Sequence, residues 1–214
     1  MQDPAIRLLI GGRSSTKAKA AARSLRLPPE SGIELDAHRA DLPNRLIELG
    51  VNTVIHTAGP FQNQNYSVAR AAIEAGCHYV DLADGRQFVA GIDSLNDLAA
   101  ARGVTVVSGA SSVPALSSAV VERYLPEFMN LTSIQLGISS GARAPGLATV
   151  KGIFGYCGKP FQRYENGSWR TAYGWQGLLR YRFPNPLGSR WLSSCDIPDL
   201  ELFPRRGQPI NRSA

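Results

Sequence analysis

Short apolar runs alternate with helical patterns over the first 125 residues of the chain. The runs are rich in β-branched and aliphatic residues and are nearly continuous, as in parallel strands that are covered on both faces. Helical patterns fill the intervals, so the sequence predicts an α/β protein with a parallel sheet flanked by helices. The predicted strands are residues 6–10, 32–36, 51–57, 78–82 and 104–108.

Capping residues and glycines set the bounds of five predicted helices. A serine oxygen at Ser14 or Ser15 accepts the unpaired first-turn amides of one helix. Gly76 closes another, since it lacks a Cβ and adopts the left-handed conformation freely. Pro114 suits a first helical turn, where its missing amide hydrogen costs nothing. The predicted helices are residues 14–25, 41–49, 65–76, 87–102 and 114–124.

The pattern changes after Pro126, which we take as a domain boundary. Residues 1–126 are predicted to form the α/β domain, and residues 127–214 part of a second α+β domain. The Asn166-Gly167 pair predicts a hairpin turn, because both residues tolerate positive φ. The second part is further predicted to contain a strand at 131–139, a glycine-rich loop at 141–146, a short helix at about 147–156 and a frayed tail at 205–214.

Charge and cysteine content exclude several classes of function. The net charge is +6, but residues 1–120 hold eleven charges of each sign, and the excess beyond them is scattered. A nucleic-acid groove would concentrate it, so no nucleic-acid partner is expected. Three distant cysteines favour neither a disulfide framework nor a zinc site. No apolar stretch approaches the ~20 residues of a membrane span. We expect a cytoplasmic protein without a metal.

A small-residue turn follows the first predicted strand and has the composition of a phosphate site. It contains Gly12, Arg13 and Ser14, with Lys17 shortly after. Glycines let backbone amides approach a phosphate, and a guanidinium pairs with its oxygens. In dinucleotide folds an arginine here accommodates the 2′-phosphate of NADP, whereas an acidic residue selects NAD. Arg13 therefore favours NADP over NAD, although a plain turn with a solvated arginine fits the motif equally well.

The third predicted strand ends in a second turn of small residues. Thr57, Ala58, Gly59 and Pro60 leave room for a flat ligand at the carboxyl edge of the sheet, and Phe61 follows them. The alternative is an ordinary tight turn. His56, just before this turn, has buried-strand neighbours and no adjoining acid, so we expect a packed histidine and not a base.

Polar residues after the fourth and fifth strands point to the same edge. Asp81 and Asp84 could bind a substrate ammonium or position a proton transfer, beside Arg86. Ser111 lies in a further small-residue turn. The structural alternative is that Asp84 caps the next helix and that Asp81 pairs with Arg86.

Taken in order, these segments resemble the NADP-binding domain of the saccharopine dehydrogenase-like oxidoreductases, in a bacterial branch of that family. The resemblance spans about residues 5–204 and is more specific than any single motif, because its segments occur in the right order. The segments that resemble the NADP-binding domain are residues 12–14, 54–61, 78–88 and 107–116, and residues 145–150 and 196–204 are similar to segments of the second domain in that bacterial branch.

The resemblance implies a Rossmann domain that binds NADP. It implies that Arg13 lies near the 2′-phosphate, Asp36 on the adenine side, and Ala58, Gly59 and Pro60 near the nicotinamide. Members of the family reduce imines or oxidise secondary amines in amino-acid metabolism. We therefore expect an oxidoreductase with a small-molecule substrate, and a homodimer is possible. No catalytic residue is assigned.

The sequence departs from the family pattern at both ends. Such a fold begins with a strand and a G-x-G-x-x-G loop, but nothing here precedes the strand that ends at Gly12. The strand order 3-2-1-4-5-6 would make the absent strand central and leave a gap in the sheet. We therefore expect a fragment truncated at both ends that binds NADP poorly.

The sequence also bears on three other classes of protein. The alternative function is a non-catalytic dinucleotide-binding or structural protein, which the absent phosphate loop favours. A short-chain dehydrogenase would need Tyr-x-x-x-Lys, and no tyrosine here has a lysine four residues later. A serine hydrolase would need a nucleophile elbow with a histidine later in the chain, and all three histidines precede every candidate serine from Ser108 onward.

Overall fold

The structure is a computed structural model that describes residues 5–139, 150 and 154–206. Its first part alternates strands and helices, which confirms the predicted α/β class. The elements are β1 (Ile10–Gly12), α1 (Ser15–Ser24), β2 (Gly32–Glu34), α2 (Leu42–Glu48), β3 (Thr53–His56), α3 (Ser67–Glu74), β4 (His78–Asp81), α4 (Arg86–Ala90), α5 (Asn96–Arg102), β5 (Val106–Val107) and α6 (Ser117–Tyr124).

The parallel sheet is divided into two pieces. Strand β1 pairs with β2, with Ile10 opposite Gly32. Strands β3, β4 and β5 form the second piece in that order, also parallel. In the order 3-2-1-4-5-6 these pieces correspond to 3-2 and 4-5-6, and no described strand lies between β1 and β3. The division therefore falls where the predicted gap lies.

Local sequence explains how the first βα unit is built. Ser14 is the N-cap of α1, and its side chain accepts the Lys17 amide at 3.4 Å, as predicted. Gly32 opens β2 directly against that helix, where a Cβ would come within 2.5 Å of the Lys19 backbone. The predicted strand 6–10 is shifted, however, because backbone pairing with β2 begins only at Ile10.

The main apolar core lies between one face of the β3–β4–β5 sheet and helices α2, α3 and α5. The opposite face is largely open, with Ile55 59% exposed and Leu82 43% exposed. Parallel strands are normally covered on both faces, so the packing here is one-sided. The core is formed by Leu42, Leu46, Val68, Ala69, Ala71, Ala72, Ile73, Cys77, Tyr79, Leu95 and Ala99.

The predicted single helix over 87–102 is wrong, because the chain breaks at Gly91. A 3-10 turn, Ile92–Leu95, separates α4 from α5. The break accommodates Tyr66, whose hydroxyl donates to the Phe88 carbonyl at 2.7 Å and would lie 2.7 Å from a Cβ at residue 91. Tertiary contact with Tyr66 therefore overrides a continuous helical pattern.

The described residues of the second part include two antiparallel hairpins and a short helix near residue 200. The first hairpin joins β6 (Pro160–Glu165) to β7 (Ser168–Tyr173), and Asn166 and Gly167 turn between them with φ of 51° and 76°. This confirms the predicted hairpin. The second joins β8 (Leu179–Arg182) to β9 (Ser189–Leu192). Helix α7 is Asp199–Arg205.

The predicted strand at 131–139 is wrong, since these residues pair with no described strand. Gly137 instead lies against the side chain of Leu192: a Cβ placed on Gly137 would be 3.3 Å from Leu192 Cδ1. The alternation did not lead to a strand, and two of the apolar side chains, Leu136 and Ile138, are exposed. The predicted loop 141–146, most of the predicted helix 147–156, and the tail from residue 207 lie outside the described residues.

Arg86 joins the second part to the sheet. It is only 6% exposed and donates to Glu201 Oε2 at 2.7 Å, Asp196 Oδ1 at 3.1 Å and the Gln162 carbonyl at 2.6 Å. Its guanidinium carbon also lies 5.4 Å from the centre of the Trp169 ring. One buried cation on α4 thus contacts both the first hairpin and the helix of the second part.

Further polar contacts fix α7 against the first part. Ser117 Oγ donates to Asp199 Oδ1, and burial raises the pKa of that carboxyl. Arg205 donates to the Ala90 carbonyl at 2.8 Å. Within residues 5–139, 150 and 154–206, no helix has both the length and the apolar composition that crossing a bilayer would require.

Candidate functional site

The carboxyl ends of β1 and β2 open into a cavity of about 580 Å³. This volume lies within the range of roughly 300–1,000 Å³ that is usual for small-molecule sites. The wall combines three arginines with three acidic residues and two leucines. Its residues are Arg13, Glu34, Leu35, Asp36, Arg39, Asp41, Leu42 and Arg45. The structure therefore brings together Arg13 and Asp36, which lie 23 positions apart in the sequence.

Arg13 is the unpaired cation of this wall. Its side chain is exposed, and it has no hydrogen bond or ion pair to another described residue. Gly12 beside it leaves open space, with nothing within 4 Å of where a Cβ would lie. Ser14 is occupied as the N-cap of α1, and the exposed Lys17 lies on that helix. An anion that enters the cavity therefore meets a guanidinium that holds no carboxylate.

The loop after β2 supplies the opposite wall. Asp36 Oδ1 accepts the His38 amide at 3.0 Å, which fixes the loop where it leaves the strand. Arg39 forms a two-point ion pair with Asp41, and Arg45 pairs with Glu48. Sequence reasoning missed Arg39 and Arg45. The available signal was the position of Arg39, three residues beyond Asp36 in the same loop.

The small-residue turn after β3 lies open at the same edge of the sheet. Thr57, Ala58, Gly59 and Pro60 are all exposed, as a surface that receives a flat ligand requires. Gln64, which sequence reasoning also missed, holds the turn by donating from Nε2 to the carbonyls of Ala58 at 2.7 Å and Pro60 at 3.0 Å.

Phe61 anchors the end of this turn and does not face the open edge. Its side chain is only 4% exposed and packs with Ala83, Phe88 and Val89. The ring also meets the buried His56 edge-on, with centroids 5.1 Å apart. Phe61 therefore shapes the turn from beneath.

A second cavity of about 390 Å³ continues along the edge. It is lined by His38 from the loop after β2 and by Asn63, Gln64, Asn65 and Ser67 from the loop after β3. Because His38 closely follows the Asp36 wall of the first cavity, both cavities lie along the carboxyl edge, where doubly wound sheets bind their ligands.

His56, Tyr79 and Asp81 form a buried polar cluster under this edge. His56 Nδ1 lies 2.9 Å from the Tyr79 hydroxyl, and its Nε2 is buried without a described partner. Burial lowers the pKa of His56, while the Asp81 charge opposes that effect. The same burial raises the pKa of Tyr79. His56 is therefore a packed, neutral histidine, as its strand context predicts.

The lowered pKa of His56 predicts a loss of stability on acidification. Its ordinary pKa of 6.5 applies in the unfolded chain, which therefore binds the proton more readily than the folded chain. The stability contribution is present above about pH 7 and falls as the pH drops through 6.5. Urea unfolding at a series of pH values should show this decline in the wild type and a weaker one in His56→Gln. The exposed His38→Gln variant is the control and should retain the decline.

The four candidate substrate-side residues occupy different environments. Asp81 is fully buried, and its Oδ1 accepts from the amides of Ala83 and Gly109 and from the hydroxyl of Ser108. Arg86 is engaged by Glu201 and Asp196, so the alternative pairing with Asp81 is wrong. Ser111 donates to the Val113 carbonyl at 3.1 Å.

Asp84 is the exposed member of that group. It accepts from Gln62 Nε2 at 3.0 Å and so lies beside the turn after β3. Tyr156 of the second part lies near Asp84. The pKa of its hydroxyl is raised mainly by burial, and to a smaller extent by a hydrogen bond with Cys195 and by the charges of Asp84 and Asp196. Sequence reasoning gave no signal for Tyr156, because it lies 72 positions from Asp84.

The parallel strands, the open carboxyl edge and the arginine-lined cavity define a dinucleotide-binding α/β domain. Residues 2–107 match the family model described as saccharopine dehydrogenase NADP binding domain. Residues 2–107 therefore form an NADP-binding domain of this family, and the cofactor is NADP. This confirms the family resemblance and places the chain among dinucleotide-binding, oxidoreductase-type proteins. No curated protein matches the chain.

Proposed function

We propose that the protein is an NADP-dependent oxidoreductase that reduces an amino-acid-derived imine or oxidises the corresponding secondary amine. The NADP-binding family of residues 2–107 supports the cofactor, and the imine chemistry follows the family resemblance. Residues 127–214 would form part of a second domain for substrate binding or dimerisation. Nucleic acid has no part in this proposal.

The observation that carries the proposal is Arg13, which lies in the wall of the 580 Å³ cavity and pairs with no other residue that the structure describes. An arginine at this point of a dinucleotide fold binds the 2′-phosphate of NADP by charge-assisted hydrogen bonds. Asp36 would then contact the adenine side, and the exposed turn at Ala58, Gly59 and Pro60 would receive the nicotinamide. The remaining substrate-side candidate that is open to solvent is Asp84.

Arg13→Ala should weaken NADPH binding by about 10-fold or more, because a hydrogen bond to a charged group contributes roughly 1.5–3 kcal/mol. NADH lacks the 2′-phosphate, so its weaker binding should change less than about twofold. Isothermal titration of each nucleotide measures both. Arg102→Ala removes an exposed arginine of α5, outside the cavity, and is the matched control. Equal losses for NADPH and NADH would contradict the assignment of Arg13.

The non-catalytic alternative is favoured by the internal engagement of Asp81 and Arg86, which leaves fewer free polar groups at the edge. The two functions differ in turnover. A 2-oxo acid and an amine form an imine in solution. An enzyme that reduces this imine oxidises NADPH, so the absorbance at 340 nm falls. NADPH binding without consumption across a panel of such mixtures would favour the alternative.

A further inference from the structure

The Arg39–Asp41 pair is arranged so that part of the guanidinium remains available to a ligand. Arg39 donates from Nε to Asp41 Oδ1 at 2.8 Å and from Nη2 to Asp41 Oδ2 at 2.9 Å. A guanidinium has five N–H donors, so three remain, two of them on Nη1. Nη1 has no partner among the described residues. The ion pair thus orients one edge of the guanidinium and leaves the other edge free.

Arg39 lies in the wall of the first cavity, so its free edge belongs to a residue that a ligand in the cavity can contact. Arg39 and Arg13 line the same 580 Å³ space, one from the loop after β2 and the other from the turn after β1. The Arg39 side chain is 66% exposed, so its free donors are hydrated and can be exchanged for ligand oxygens without uncovering a buried group.

The charge of the expected ligand favours two cations over one. A phosphate monoester carries about −1.5 to −2 charges at neutral pH and three acceptor oxygens. Arg13 alone would leave roughly half of that charge uncompensated. Both other arginines of the wall pair with a carboxylate, but Arg45 uses its terminal Nη1 for Glu48, whereas Arg39 uses Nε and Nη2 for Asp41. Arg39 therefore keeps its Nη1 donors for a second contact with the phosphate.

We propose that Arg39 is a second residue that determines specificity for the 2′-phosphate. In this proposal, which rests on the proposed function for the identity of the nucleotide, the phosphate lies between Arg13 and the Nη1 edge of Arg39. Asp41 acts as a positioning residue that holds the guanidinium through its Nε edge.

The test uses 2′,5′-ADP and 5′-AMP, which present the adenosine end of NADP and of NAD to the full chain. Titration calorimetry of Arg39→Ala should show about 10-fold weaker binding of 2′,5′-ADP, in keeping with the loss of charge-assisted bonds, and less than about twofold change for 5′-AMP. Arg102→Ala should match the wild type for both ligands, since it removes the same charge from α5.

A double variant separates direct contact from an indirect effect. Arg39→Ala alone leaves the Asp41 carboxylate unpaired, and that negative charge could itself repel the phosphate. In Arg39→Ala/Asp41→Asn the extra charge is gone. If Arg39 contacts the phosphate, 2′,5′-ADP binding stays weak in the double variant. Recovery to the wild-type affinity would overturn the proposal.

The remaining outcomes are distinct. Unchanged 2′,5′-ADP binding by Arg39→Ala, with a loss in Arg13→Ala, would refute the role of Arg39 and keep the proposed function. Failure of both variants to affect binding would refute the proposed function as well. Inorganic phosphate that competes as strongly as 2′,5′-ADP would show a general anion site and would also overturn the proposal.

Discussion

Replacing Arg86 with Met should lower the free energy of unfolding by about 3 kcal/mol, because removing one partner of a buried ion pair leaves charges without compensation. The guanidinium is 6% exposed and serves Glu201, Asp196 and the Gln162 carbonyl together. Met retains most of the apolar part of the arginine side chain. The loss of stability therefore measures the removal of the guanidinium and not the creation of a cavity.

We expect this effect at the lower end of the usual range for buried pairs. The side chains of Glu201 and Asp196 remain 20% and 32% exposed, so water can partly compensate them after the substitution. Urea unfolding measures the change. Arg102→Met is the matched control at an exposed position of α5 and should fall within about 0.5 kcal/mol of the wild type. A similarly small change for Arg86→Met would show that the contacts with the second part contribute little.

Asp81→Ala should also cost about 3 kcal/mol. Its carboxylate accepts from the amides of Ala83 at 2.9 Å and Gly109 at 2.8 Å and from the Ser108 hydroxyl at 3.0 Å. Each buried donor left without an acceptor costs roughly 1–3 kcal/mol. Because Ser108 and Gly109 follow β5, the loss should also loosen the loop after that strand.

Two variants test the role of Asp81 as an acceptor. Asp81→Asn keeps one carbonyl oxygen and should lose less stability than Asp81→Ala. Asp84→Ala, three residues away and exposed, should change the free energy of unfolding by no more than about 0.5 kcal/mol. Hydrogen exchange at the Gly109 amide should accelerate in Asp81→Ala and not in Asp84→Ala. Equal exchange rates in both variants would rule out the proposed anchoring of the loop.

Local sequence determined many of the elements. The Ser14 cap and the Asn166-Gly167 turn depend on contacts within a few residues, so they could be predicted directly. The usual strand order of the fold, combined with the strand that ends at Gly12, predicted that the sheet is divided between β1 and β3. Where pairing decides the outcome, as at 131–139, periodicity alone was insufficient.

The candidate site was predictable only in part. The positions of Arg13 and Asp36 followed from motif and resemblance, and the first cavity contains both. The contribution of Arg39 depended on the path of the loop after β2. Burial of Asp81 and engagement of Arg86 depended on partners that lie up to 115 residues away along the chain.

The sequence by itself determined the parallel α/β architecture, the NADP-binding family of residues 2–107 and the presence of an arginine at the end of β1. These follow from apolar periodicity, turn chemistry and the charge of one side chain, all of which act over short distances in the chain. Only the tertiary structure decided which polar groups remain free at the edge of the sheet. Arg13 has no partner within the described part of the chain, whereas Arg86 and Asp81 are buried with partners, because burial of a charge requires compensation that only the folded chain supplies.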